Sequence, residues 1–177
     1  MILRLVIKFN GGIWNIKGKC TRTKGILQKY YIGIYTLFLD RMGSYIGYNS
    51  KIQGIPCFPH GIRGIFISGG AIIGENCVIF QQVTIGSNTL IDSKGKGAPI
   101  IGDNCYIGAG AKIIGNINIG NNVRIGANCV VTTDIPNNSV VVLNKPRLIQ
   151  KGNMDNKFYR HTCNGVQYFE NGIWVKV

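Results

Sequence analysis

The chain is predicted to fold as a parallel β-helix, and three observations in its 177 residues carry that prediction. The first is a six-residue period. Ile101, Ile107, Ile113, Ile119, Ile125 and Val131 follow one another without a slip, Ile67, Ile73, Ile79 and Ile85 keep the same spacing upstream, and Ile46 and Ile52 form an earlier pair. The second is the company each aliphatic residue keeps. Glycine follows it at Gly47, Gly74, Gly86, Gly102, Gly108, Gly120 and Gly126, and a small or β-branched residue holds the fifth place at Cys77, Val83, Cys105, Ala111, Val123 and Cys129. The third is composition: 25 glycines against 5 prolines, with 15% charged residues, excludes collagen, a disordered chain and a flexible linker.

The period has a physical reading. A short strand turns its aliphatic residue inward, a tight corner follows where Gly or Asn tolerates unusual backbone angles, and the small fifth residue fits the narrow space beside the corner. Three such units close one triangular coil, so residues 18 apart stack and successive coils pair as parallel strands about 4.8 Å apart. A helical period of 3.6 fits none of these positions.

Taken in order, residues 1–45 read as an N-terminal extension with a short helix. Residues 22–42, aromatic and apolar with basic residues at the start, suit a helix docked on the first coil, although Gly25 and Gly33 weaken it; a helix lying against anionic lipid is the second reading. Phe9-Asn10-Gly11-Gly12-Ile13-Trp14 resembles a phrase near the C-terminus, Phe169-Glu170-Asn171-Gly172-Ile173-Trp174, so a hairpin is expected at both ends. Residues 46–149 form the β-helix. Sixteen residues separate Ile85 from Ile101 where six would serve, so about ten leave the coil as an external loop spanning 87–99. With the loop set aside, Ile73, Ile101 and Ile119 stack. Residues 150–177 form a tail in which Asn171-Gly172, between two apolar runs, signals a β-hairpin.

Charge and cysteine usage narrow the partners. Lys and Arg number 20 against 7 Asp and Glu, a formal net charge of +13. The basic residues are scattered without a dense run, so nucleic acid is not expected as a partner, while peripheral contact with a membrane stays open. No apolar run reaches the ~18 residues of a membrane span. Residues 1–9 are broken by Arg4 and Lys8 and lack a small-residue cleavage site, so no signal peptide is expected and the default location is the cytoplasm. Cys77, Cys105 and Cys129 read as reduced core fillers, with Cys77 and Cys105 stacked. Cys20, Cys57 and Cys163 show no metal spacing, and with two histidines no metal site is expected.

Residues 46–149 resemble the hexapeptide-repeat acyltransferases, most closely their serine acetyltransferase-like branch. The resemblance rests on PHGIRGIFISGGAIIGEN, FQQVTIGSNT, GAPIIGDNCYIGAGAKIIGNINIGNNVRIGANCVV and the exit TTDIPNNSVVVLNKPRLI. It implies a left-handed β-helix, a homotrimer with active sites in the clefts between subunits, and acetyl-CoA as co-substrate. It also places a catalytic base at His60, a role that a neutral imidazole suits near pH 7. By the same resemblance Gly108, Ala109 and Gly110 on one coil, Ala127 on the next and Thr133 at the exit line the pantetheine arm. Lys145 and Arg147 face the nucleotide phosphates, with Lys112 and Arg124 as second choices. His161, in the tail, reads as an ordinary surface residue.

The acceptor side departs from the serine enzymes. They carry aspartate where this chain has Pro59 and Tyr45, and Arg-His-Pro where it has Gly97-Ala98-Pro99. A serine carboxylate needs a cation and its amine an acid, so these differences favour a neutral hydroxyl on a sugar or polysaccharide precursor. Serine O-acetylation and a non-catalytic scaffold are the alternatives. Asp92 and Glu75 are the candidates for orienting His60.

Overall fold

The computed structural model describes residues 2–145, 147–152 and 154–177, and divides the chain into two compact units, Met1–Leu143 and Asn144–Val177. The first unit opens with three helices, α1 (Ile2–Phe9), α2 (Ile13–Arg22) and α3 (Gly25–Arg41). α3 lies within the predicted helical segment; α1 and α2 go beyond the single short helix expected. The expected N-terminal hairpin is not formed. Asn10-Gly11-Gly12 instead joins α1 to α2, with Gly11 and Gly12 at φ 74° and 92°. The flanks decide this: on both sides of the glycines the apolar residues recur at helical spacing, so the same dipeptide turns a helix rather than a strand.

The helices close one end of the solenoid, as a stack of coils with an exposed terminal layer requires. Ile16 and Cys20 of α2 and Tyr35 and Leu39 of α3 are buried in one core cluster with Ile46 and Ile65 of the first coil. Lys17 is drawn in with them. Its Nζ donates to the carbonyls of Tyr48 at 3.2 Å and Ser50 at 2.6 Å, and burial lowers its pKa from the ordinary lysine value. The Tyr35 hydroxyl is buried without a hydrogen-bond partner among the described residues.

Three flat parallel sheets follow, the architecture of the left-handed β-helix. Face A stacks β1 (Tyr45–Ile46), β3 (Phe66–Ile67), β6 (Thr84–Gly86), β9 (Lys112–Ile114) and β12 (Val130–Val131). Face B stacks β2 (Lys51–Ile52), β4 (Ile72–Ile73), β7 (Ile100–Ile101) and β10 (Asn118–Ile119). Face C stacks β5 (Val78–Ile79), β8 (Tyr106–Ile107), β11 (Arg124–Ile125) and β13 (Val140–Val141). Ile73, Ile101 and Ile119 stack as predicted. The isoleucines of the six-residue series from Ile67 to Ile125 are at most 2% exposed, so each coil adds a layer to one continuous core.

Two departures from the period lie outside the sequence reading. Ile46 pairs with Ile67 and Ile52 with Ile73, so the first coil is three residues longer than 18. Ile125 pairs with Val141, so the last is two shorter. The extra residues of the first coil fall in the corner 58–65, which holds His60.

Corners of the B–C edge are built from Asn76, Asn104, Asn122 and Asn138, all at φ between 55° and 58°. Beside them a side-chain ladder satisfies corner amides: Asp103 Oδ1 accepts from Glu75 N–H at 2.8 Å, Asn121 Oδ1 from Asp103 N–H at 2.8 Å, and Asn137 Oδ1 from Asn121 N–H at 2.7 Å. Cys77 and Cys105 stack beneath this edge as free thiols, each donating to a carbonyl of the next coil. The neighbouring Cys105 thiol and burial hold the Cys77 thiol well above its ordinary pKa.

The loop between β6 and β7 leaves from the A–B edge. Asn88 and Gly97 pair through two backbone hydrogen bonds of 2.8 and 2.9 Å that pinch its base, and Gly95 C=O accepts from Asn116 N–H at 2.9 Å. The insertion is therefore anchored to the solenoid at both its neck and its middle.

The second unit is an antiparallel sheet of β14 (Phe158–Thr162), β15 (Gly165–Glu170) and β16 (Ile173–Lys176). The predicted hairpin is β15–β16. Asn171 and Gly172 have φ of 49° and 84°, the pair of positive angles a two-residue hairpin turn demands. β14 was not anticipated. Lys157 and Arg160 lie over the rings of Tyr168 and Trp174 at 3.8 and 3.7 Å. His161 is exposed on β14.

Candidate active site

His60 occupies the lengthened corner between face C and face A. Phe58 packs inward against the core and stacks with Trp14 of α2, ring centroids 5.8 Å apart, which ties the base of the corner to the helical cap. The His60 ring itself is exposed and stands edge-on to Phe80 at 5.7 Å. Its Nδ1 lies 2.8 Å from Gln81 Oε1 on the next coil. An amide oxygen only accepts, so this contact suits the neutral tautomer that carries its proton on Nδ1 and its lone pair on Nε2. Gln81 thus does what the sequence reading sought from Asp92 or Glu75. Glu75 lies on the B–C edge and Asp92 in the loop on the A–B edge, and neither is among the hydrogen-bond partners of His60. The repeat alone did not point to Gln81: residue 60 comes to lie above residue 81 only because Cys57 pairs with Val78, 21 residues on instead of 18.

The same column continues down the C–A edge. Register sets Gln81 over Ala109 and Ala109 over Ala127. Across three coil spacings Ala127 lies about 14 Å below the level of His60. Four of the residues anticipated for the pantetheine arm therefore share one edge with the histidine. Their exposures differ: Gly108 and Gly110 are buried, Ala109 half-buried and Ala127 exposed. The glycines answer first to the solenoid. A Cβ on Gly108 would stand 2.7 Å from the backbone nitrogen of Ala127, and Gly110, at φ +71°, would meet the Asn128 side chain. The alanines leave the edge shallow, a track that a slender chain fits.

The cations rearrange the expectation. Lys112 stands on face A beside this edge, with Nζ donating to the Gln82 carbonyl at 2.7 Å, and Arg124 stands on face C three residues before Ala127. These second choices flank the column. Thr133 lies on the A–B edge, a different corner of the prism, and Lys145 and Arg147 belong to the second unit.

Among the described residues of the first unit, no acidic group stands on this edge. Asp103 and Glu75 lie on the B–C edge, Asp134 and Asp92 at the A–B edge or in its loop, Asp40 ends α3, and Asp155 and Glu170 belong to the second unit. The surroundings of His60 are aromatic instead. Phe80 leans on Tyr106 at 5.1 Å on one side, and on the other face A turns Tyr45 and Phe66 outward, each about half exposed.

Comparison with known proteins bears on the family and the fold. Residues 98–133 match the family model described as bacterial transferase hexapeptide (six repeats). The chain is 47% identical over 90 residues to a serine acetyltransferase of Synechococcus elongatus, covering 51% of this chain and 35% of that protein. It is 48% identical over 83 residues to one of Staphylococcus aureus, covering 47% and 38%. Among solved structures, serine acetyltransferase isoform 3 of Entamoeba histolytica in complex with cysteine superposes with a TM-score of 0.60 at 38% identity, over 70% of this chain and 43% of that one. The soybean serine acetyltransferase apoenzyme gives 0.62 at 29% identity, over 76% and 53%. The chain thus spans about a third to a half of the length of these relatives. Over its β-helix it is a hexapeptide-repeat transferase homologue, related by sequence and by structure to the serine acetyltransferases.

Proposed function

We propose that the chain is an acetyl-CoA-dependent O-acetyltransferase with His60 as general base. The observation that carries this is the His60–Gln81 pair at the head of a column of small residues. Nε2 takes the proton of the acceptor hydroxyl as its oxygen attacks the thioester carbonyl, and Gln81 holds the opposite N–H so that the imidazolium formed stays aligned. The tetrahedral oxyanion is stabilised by backbone N–H groups of the coil corner. On collapse the C–S bond breaks and the proton passes from Nε2 to the departing thiolate. The shallow edge through Ala109 and Ala127 suits the pantetheine arm, and Lys112 and Arg124, flanking it, are the cations for its phosphates, ahead of Lys145 and Arg147.

Serine is the acceptor that the relatives support, and their names favour it over the sugar reading of the sequence. A second reading keeps a specific observation: among the described residues of the first unit no acid lies on the C–A edge, and Pro59, Tyr45 and Gly97-Ala98 stand where the serine enzymes hold charge. A neutral sugar hydroxyl flanked by aromatic rings suits that surface. Acetyl-CoA consumption, followed by thiol release with L-serine and with a panel of monosaccharides and nucleotide sugars, separates the two. Turnover with serine alone establishes the first and turnover with a sugar alone the second; thioester cleavage with neither, at saturating acetyl-CoA, overturns the acetyltransferase reading for those acceptors. The outward Tyr45, Phe66, Val130 and Ile100 leave apolar side chains on the flat faces, which supports a homotrimer of about 58 kDa from 19.4 kDa chains. Equilibrium sedimentation at a monomer mass, with activity retained, would exclude a site shared between subunits.

A further inference from the structure

We propose that α1 and the outer stripe of α3 form a docking surface for an anionic membrane. α1 is six parts apolar in eight residues, yet none of them is buried: Ile2 is 77% exposed, Leu5 47% and Phe9 87%. α3 uses one stripe, through Tyr35 and Leu39, to close the β-helix, and turns a second apolar stripe outward, with Ile26 88% exposed and Leu27, Tyr30 and Leu37 about half exposed. Between the two helices runs a groove of about 520 Å³, walled by Leu3 and Val6 on one side and Tyr30, Ile34 and Leu37 on the other. Aliphatic side chains left in water on two adjoining helices cost free energy that a covering phase would recover.

Charge selects the occupant. Residues 2–41 hold eight lysines and arginines and a single acid, Asp40. On α1 the cations Arg4 and Lys8 lie one turn apart, a basic stripe bordering the apolar face. A second copy of the same surface would bring cations against cations. A bilayer carrying anionic headgroups offers the opposite charge at the rim and hydrocarbon at the centre, the arrangement by which amphipathic helices lie in an interface. Among the described residues, no helix is long and apolar enough to cross a membrane.

Flotation of the full chain with phosphatidylcholine vesicles, with and without a third of phosphatidylglycerol, tests this. The protein should float with the anionic vesicles and be released by high salt. Arg4→Glu with Lys8→Glu, and separately Leu5→Glu with Phe9→Glu, should each lower partitioning by roughly tenfold or more while the circular dichroism of the β-helix is kept. Should either variant misfold, hydrogen exchange of the wild-type chain reads the same surface: amides of α1 should be protected by anionic vesicles and unchanged by neutral ones. Failure to float, equal binding to neutral vesicles, or a fall in oligomeric mass on Leu5→Glu with Phe9→Glu would overturn the proposal, the last by naming a second copy as the occupant.

Discussion

Replacing Gln81 tests whether the 2.8 Å contact with His60 sets its proton. Gln81→Ala removes the acceptor that holds Nδ1–H and lets the imidazole rotate and change tautomer. A hydrogen bond to a group that becomes charged is worth about 1.5–3 kcal/mol, and here His60 is exposed and Gln81 only half-buried, so the lower end applies. At 1.36 kcal/mol per decade, kcat should fall roughly tenfold. The KM for acetyl-CoA should hold, because Gln81 lies one coil above the residues proposed for the pantetheine arm. Gln81→Glu separates positioning from packing. A carboxylate there still accepts from Nδ1 and favours the imidazolium, so activity should return and the rising limb of the rate profile should move up by about one pH unit. The assay is initial-rate thiol release from acetyl-CoA across pH, with the acceptor that the screen identifies. A Gln81→Ala variant within twofold of wild type, together with an unmoved profile in Gln81→Glu, would refute the assignment.

Further outcomes follow from the same geometry. His60→Ala should lower kcat by roughly 10²–10⁴ and leave acetyl-CoA binding, read by calorimetry, nearly unchanged, since the exposed ring supports no core. Replacing residues 90–94 with a short glycine-containing turn should leave the β-helix folded by circular dichroism, because the Asn88–Gly97 neck and the Gly95–Asn116 contact are kept, and should reduce turnover by about tenfold if the loop completes a neighbouring site. Titration with an aromatic disulfide should find two fast thiols in the native chain, Cys57 and Cys163, and all six only after denaturation. Tyr35→Phe removes a buried hydroxyl without a partner, so the thermal midpoint should stay level or rise, by the equivalent of up to about 1 kcal/mol.

The sequence by itself determined the solenoid. A six-residue recurrence of Ile, with small residues at the fifth place, admits one inward face per strand and one corner per unit, and that periodicity is local enough to read from letters. The external loop and the Asn171-Gly172 hairpin were legible for the same reason, since each depends on residues adjacent in the chain. Tertiary structure decided the rest. Asn10-Gly11-Gly12 turns a pair of helices because its apolar flanks recur at helical spacing, a contest that the dipeptide alone does not settle. Gln81 reaches His60 because a three-residue extension of the first coil changes which positions share an edge. Lys112 and Arg124 flank the column because the register between the later coils sets both beside the C–A edge. Residues 21 or 28 apart become neighbours only once every coil's length has been summed, so the composition of the site is a property of the register between coils.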